Sequence, residues 1–266
     1  MSRASMGIQP ADDVKTIQTT RAPLVSIIIP ALNEEEYLPR TLNGLRAIRN
    51  TEYPWIEIIV AVGPSTDATR KIARSLADVV VEVDVGPSIA RNAGAKMARG
   101  SILVFLDADA LILPGAISRI VDAAKPLTVG TCAMRPDVRN IRSFTLSFFK
   151  NVVRSRHRGC SELIFCHRSV FFDRNVRFAE DMPIGELHRF FSDAITAGAK
   201  YKYVWRARYQ FSVRRQEKHG YAHIMLFWIR WFMFKRNAKL RTQFENEYWG
   251  DTTQKKSAMN HSLYGN

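Results

Sequence analysis

Cysteine is scarce in this 266-residue chain: Cys132, Cys160 and Cys166 stand at irregular spacing and form no CxxC pair. That excludes a disulfide framework and a zinc ribbon, and makes a reducing compartment the expected one. With only 11 proline and 14 glycine residues, collagen-like and low-complexity classes are excluded as well. Long apolar runs are missing. The most apolar stretch, residues 221–234 (YAHIMLFWIRWFMF), is broken by Arg230. As a helix it would reach about 21 Å, short of the roughly 30 Å of bilayer hydrocarbon, so a single span is not expected. There is no GxxxxGK[ST], HExxH or GxSxG, which removes support for P-loop ATPase, zincin and α/β-hydrolase readings. Residues 1–20 lack the apolar segment of a signal peptide and are expected to form a loose tail.

What is present is ample core material, 46% hydrophobic with 24% charged residues, enough for one large α/β domain or two small ones. The formal net charge of +14 is unevenly placed. Residues 1–130 hold 14 basic and 14 acidic side chains, whereas residues 131–266 hold 25 and 11. Residues 200–241 carry 12 basic groups against a single acid, Glu217. A neutral half followed by a basic one predicts two tasks, the second facing phosphates, nucleic acid or an anionic membrane.

Strand and helix patterns alternate through the first half. Residues 25–29 (VSIII) read as a buried strand ended by Pro30, after which Asn33 is expected to cap a helix carrying Glu34, Glu35 and Glu36 in its first turn. Strands are predicted at 57–62, 79–83 and 101–106, with helices from Asp67 to 77, from Gly86 to 98 and over 114–124. Such alternation predicts a parallel sheet covered on both faces, with ligands bound beyond the carboxyl ends of its strands. Further on, strands are expected near 127–134, 162–167, 201–204 and 209–213, with helices near 142–156 and 186–197.

Asp107-Ala108-Asp109 directly follows the 101–106 strand. In extended chain residues two apart point the same way, so both carboxylates can face one ion. Paired carboxylates repel unless a cation intervenes, and Mg²⁺ or Mn²⁺ completes its oxygen shell with substrate phosphates. Arg91, near the start of a predicted helix, suits phosphate binding by charge and backbone N–H groups.

The ordered run VSIIIPALNEEEYL, GPSTDAT and GPSIARNAGAKMARGSILVFLDADALI resembles the family 2 glycosyltransferases of GT-A fold over residues 23–200. The resemblance implies a Rossmann-like, mostly parallel sheet flanked by helices, a nucleotide-sugar donor, a divalent cation and inversion at the anomeric carbon. Position by position, it assigns Pro30, Asn33 and Glu34 to the first nucleotide loop and Ser65 and Asp67 to the second. Val62 and Gly63 replace the two acids the family usually carries there, which removes the usual pointer to uridine. Arg91 and Asn92 match the segment reaching the nucleotide diphosphate, and Asp107 and Asp109 match the metal-binding acids. Leu187 stands where the family's base is usually Asp. Glu186 is therefore the candidate base, with Asp181 in reserve and Glu180 matching a neighbouring family acid. Arg214 and Arg215 are candidates for the diphosphate and His219 for a third metal ligand.

The expected organisation is a tail (1–20), a GT-A domain (21–218) and a C-terminal aromatic, basic helix with its tail (219–266). Within the domain, 21–125 would bind nucleotide and 126–218 the acceptor. Trp228 and Trp231 between basic flanks predict a peripheral enzyme on the cytoplasmic face of an anionic membrane, with a lipid-linked acceptor such as a polyprenyl phosphate. Nucleic acid is not an expected partner, because the basic half carries no recognised binding motif. Two alternatives stand beside this reading: a nucleotidyltransferase, and a catalytically silent membrane-docking protein of the same fold.

Overall fold

Runs of Val, Ile and Leu form the strands at the centre of the computed structural model, which describes residues 24–138, 141–157, 162–182 and 185–212 together with Gly220 and Leu226. The tail at 1–20, Arg214, Arg215, His219 and, apart from Leu226, the 221–234 segment lie outside the described residues. In chain order the elements are β1 (Val25–Ala31), α1 (Leu38–Thr51), β2 (Ile56–Val62), α2 (Thr69–Leu76), β3 (Val79–Glu82), α3 (Pro87–Met97), β4 (Ile102–Leu106) and β5 (Leu111–Ile112). They continue with α4 (Ala116–Ala123), β6 (Thr128–Pro136), α5 (Ile141–His157), β7 (Leu163–His167), α6 (Arg168–Phe171), α7 (Glu186–Thr196) and β8 (Lys200–Phe211).

One eight-stranded sheet runs in the order β3-β2-β1-β4-β7-β6-β8-β5. Its first four strands are parallel, as β/α alternation predicts. The second half departs from a purely parallel sheet: β7 is inserted antiparallel between β4 and β6, and short β5 lies antiparallel on β8. The two strands expected near 201–204 and 209–213 are one. β8 pairs with β6 throughout, shifting register so that Cys132 faces Val204 while Ala133 faces Arg208. The bulge takes up residues 205–207, Trp-Arg-Ala, which lie between the two expected strands.

Alternate residues of each strand feed opposite faces. Ile27, Ile29, Ile58 and Val60 pack with Leu38, Leu42 and Leu45 of α1 on one side. Ile28, Ile59, Leu103 and Phe105 pack with Phe171, Phe178, Phe190 and Phe191 on the other. Phe178 and Phe190 stack with centroids 4.1 Å apart. Gly94 lets α3 lie flat on β1, since a Cβ there would stand 2.5 Å from the Ile28 side chain. Cys132 and Cys166 are free and buried, and burial pushes the Cys166 thiol up to about 12. Among the described residues no helix is long and apolar enough to cross a membrane.

Two expected boundaries move. Pro30 does not end the first strand, which runs on to Ala31. Pairing of β1 with β4 stops at Ile28, so the missing N–H of Pro30 falls where the β4 side is open. Nor does Asn33 cap α1: the helix begins at Leu38, after Tyr37 and with Pro39 in its first turn. The backbone N–H groups of Glu34 and Glu35 go instead to side chains of the next loop.

Candidate active site

The loops after β1 and β2 are stitched into one surface at the carboxyl edge of the sheet. Asn33 adopts a left-handed φ of 54°, which Asn tolerates better than most residues. Its backbone N–H donates to Ser65 Oγ at 3.1 Å, and its Oδ1 accepts from the Thr66 N–H at 2.9 Å. The Glu34 N–H donates to Thr69 Oγ1 at 2.8 Å. Glu35 meets the second loop twice: its N–H donates to Asp67 Oδ2, and its Oε2 accepts from the Ala68 N–H. Burial works against the Asp67 carboxylate, but donors from Thr69 and Glu35 outweigh it and hold the acid below its ordinary range. Pro30, Asn33, Glu34, Ser65 and Asp67 thus lie together.

At the end of β4, Asp107 and Asp109 sit in a turn closed by the Ala110 N–H donating to Asp107 O at 3.1 Å, rather than in extended chain. Thr41 of α1 pins the turn by donating to Ala108 O at 2.6 Å. Both carboxylates are half-buried. Partial withdrawal from water pushes the Asp107 acid up to about 6; Arg91 opposes the rise, and Asp109 and Glu162 add to it.

Arg91 joins elements distant in sequence. Only 5% exposed, it lies on α3 with its guanidinium 5.5 Å from the centre of the Phe178 ring. Nη2 donates to Asp107 Oδ1 at 3.0 Å and Nη1 to Glu186 Oε1 at 3.2 Å. Glu186 opens α7 behind Gly185, whose φ of 90° suits glycine. Asn92, also buried, clasps the chain before α7. Its Nδ2 donates to Phe178 O and Glu180 Oε1, and its Oδ1 accepts from the Phe178 N–H. Asp181 follows on that clasped segment and is exposed. Arg91→Ala is expected to cost about 2–3 kcal/mol. That is slightly under the usual penalty for orphaning a buried ionic partner, because the Asp107 side chain remains 33% exposed. Adding Asp107→Asn should restore part of the loss. A thermal melt of Arg91→Ala matching wild type would show that the pair contributes nothing.

Glu162 is a further acid at this place, expected from the sequence only as the start of a strand. Its backbone O accepts from the Asp107 N–H at 3.0 Å. Its Oε2 accepts from Tyr209 OH at 2.6 Å and from Arg154 of α5 at 3.4 Å. Burial opposes its charge, but Arg154, Lys150 and the Tyr209 hydroxyl outweigh this and bring the acid down to about 2. Spacing offers no signal for this network, because its members come from α5, β8 and the start of β7.

Residues 26–177 fit the family model described as Glycosyl transferase family 2. The chain belongs to that family. Among relatives of this glycosyltransferase is the validoxylamine A glucosyltransferase of Streptomyces hygroscopicus subsp. limoneus, 35% identical over 133 residues, or 46% of this chain and 29% of the relative. Another is the undecaprenyl-phosphate 4-deoxy-4-formamido-L-arabinose transferase of Aeromonas hydrophila subsp. hydrophila, 33% identical over 116 residues, 41% of this chain and 36% of that one. The matches therefore span only about a third of these relatives' length. The fold is shared with the mannosyltransferase PcManGT of Pyrobaculum calidifontis, solved with GDP-Man and Mn²⁺. The TM-score is 0.58 at 21% identity, covering 93% of this chain and 77% of that one.

Proposed function

We propose that this family 2 glycosyltransferase moves a sugar, with inversion, from a nucleotide-sugar donor to an acceptor hydroxyl or phosphate. One observation carries the reading: Arg91 holds Asp107, at the metal-type acidic turn, and Glu186, at the start of α7, on the two nitrogens of one guanidinium. An acid for the donor diphosphate's counter-ion and an acid for the acceptor are thereby fixed side by side.

Asn33, Glu34, Ser65 and Asp67, with Pro30 behind them, form the rim over which the nucleoside lies. Among the described residues no three His, Cys, Asp or Glu side chains converge as a complete metal site. The donor set is Asp107 and Asp109, two carboxylates on one closed turn, and such all-oxygen ligands would suit a hard cation. Asp107 and Asp109 would hold Mg²⁺ or Mn²⁺, which would supply counter-charge to the departing nucleoside diphosphate. Glu186 accepts the acceptor's proton as the hydroxyl attacks the anomeric carbon. Arg91 keeps that carboxylate in place, and Asn92 aligns the 178–181 segment bearing Asp181. Arg214, Arg215 and His219 remain candidates for the diphosphate and the cation. Residues 21–125 take the nucleotide and 126–218 the acceptor.

A lipid-linked acceptor such as a polyprenyl phosphate, met at the cytoplasmic face of an anionic membrane, is supported by the basic second half. The Aeromonas relative, an undecaprenyl-phosphate 4-deoxy-4-formamido-L-arabinose transferase, points the same way. A panel of UDP-, GDP- and dTDP-sugars with Mg²⁺ or Mn²⁺ tests the reaction. Release of nucleoside diphosphate is expected from at least one donor; pyrophosphate would indicate nucleotidyl transfer, and no turnover a silent protein.

A further inference from the structure

Helix α5 is built inside out. Toward the sheet it turns small and polar groups: Ser143 and Ser147 are only 1% and 3% exposed, and Asn151 bonds the Met134 backbone through both its amide N and its O. Away from the protein it presents Ile141, Phe144, Phe148 and Phe149, each between 62% and 76% exposed. Ile141, Phe144 and Phe148 fall at i, i+3 and i+7, so they share one side of the helix. A contiguous aromatic face on a soluble surface marks a place where something apolar belongs.

Charge selects the occupant. Helix α5 has four basic residues, Arg142, Lys150, Arg154 and Arg156, and no acid. Arg142 and Arg156 are exposed at its two ends. The chain's own C-terminal aromatic stretch is also flanked by basic residues, so like charges oppose its docking here. An anionic bilayer offers both the apolar depth for phenylalanine and the phosphates for arginine.

We infer that the Phe144–Phe148–Phe149 face of α5 is a membrane-contacting surface that seats the protein on anionic lipid. It gives the membrane association proposed above a defined place and rests on that reading. The consequence for the site is direct. Arg154, near the far end of the same helix, reaches Glu162 beside Asp107, and the 14 residues of helix from Ile141 to Arg154 span about 20 Å. A bilayer on this face therefore lies within reach of a lipid-linked acceptor whose head enters the site.

The test is co-sedimentation of the full chain with phosphatidylglycerol-containing and pure phosphatidylcholine vesicles. Wild type should bind the first, more weakly as salt rises, and ignore the second. The triple substitution Phe144→Ser, Phe148→Ser, Phe149→Ser should lower binding at least about tenfold with an unchanged Tm, because exposed side chains support no core. A lowered Tm or failure to fold would mean that protein covers this face, and the inference is overturned. Undiminished vesicle binding by a folded triple variant overturns it too, while leaving membrane association itself standing. Wild type that ignores anionic vesicles overturns both. As a measurement independent of that variant, a nitroxide on Phe148→Cys, in a Cys160→Ser background, should become shielded from a water-soluble relaxing agent when anionic vesicles are added. Continued exposure overturns the assignment. Slow hydrolysis of soluble donor without lipid, with water as acceptor and free sugar and nucleoside diphosphate as products, reads the donor chemistry separately.

Discussion

Glu186→Gln is expected to reduce turnover by roughly 10²–10⁴-fold, the usual worth of a general base, while donor affinity stays near wild type. The substitution is chosen for geometry. A glutamine Oε1 can still accept from Arg91 Nη1, now 3.2 Å from the glutamate, so the start of α7 keeps its anchor. What is removed is the negative charge, and with it the ability to take a proton. The same chemistry at the exposed Asp181, as Asp181→Asn, should leave turnover within a few-fold of wild type. Single-turnover rates of both variants with a saturating donor make the comparison. A large loss in Asp181→Asn with none in Glu186→Gln would move the base to the segment clasped by Asn92. Glu186 would then be left as the partner that orders Arg91.

Asp109→Ala is expected to abolish metal-dependent nucleotide binding. The turn that carries it survives the change, because it is held by the Ala110 N–H on Asp107 O and by Thr41 on Ala108 O, none of which needs the Asp109 side chain. Asp109 also adds to the rise of the Asp107 acid toward about 6, so its removal relieves like-charge repulsion. The metal-free variant should therefore keep its fold and a cooperative melt. Titration calorimetry with nucleoside diphosphate, with and without Mn²⁺, reads the first effect and a thermal melt the second. Unchanged affinity in Mn²⁺ would remove Asp109 from the cation's shell.

Some of this arrangement was legible before any coordinates. The parallel half of the sheet follows from apolar runs at β/α spacing, and the three loops that gather at its carboxyl edge follow from those strands sharing a direction. The helix starts at Gly86-Pro87 and at Gly185 are visible as local chemistry. Asn33 misled because Asn before acidic residues is an equally good cap or loop residue. The choice was made by Ser65, Thr66 and Thr69, more than thirty positions away.

What the sequence by itself determined was the order of strands and helices through β4, the pair of acids directly after β4 and the family. Each of these is written in neighbouring residues, as a period, a cap or a motif. The tertiary structure decided the rest. An apolar run such as 163–167 packs equally well in either direction, so only its neighbours β4 and β6 could make β7 antiparallel. The period of α5 says that one side differs from the other, and contact with β6 decided that its serines go in and its phenylalanines out. The site itself depends on Arg91 meeting Asp107 across 16 residues and Glu186 across 95. Charge pairs over such separations leave no local pattern, because what brings them together is the packing of α3 and α7 onto one face of the sheet.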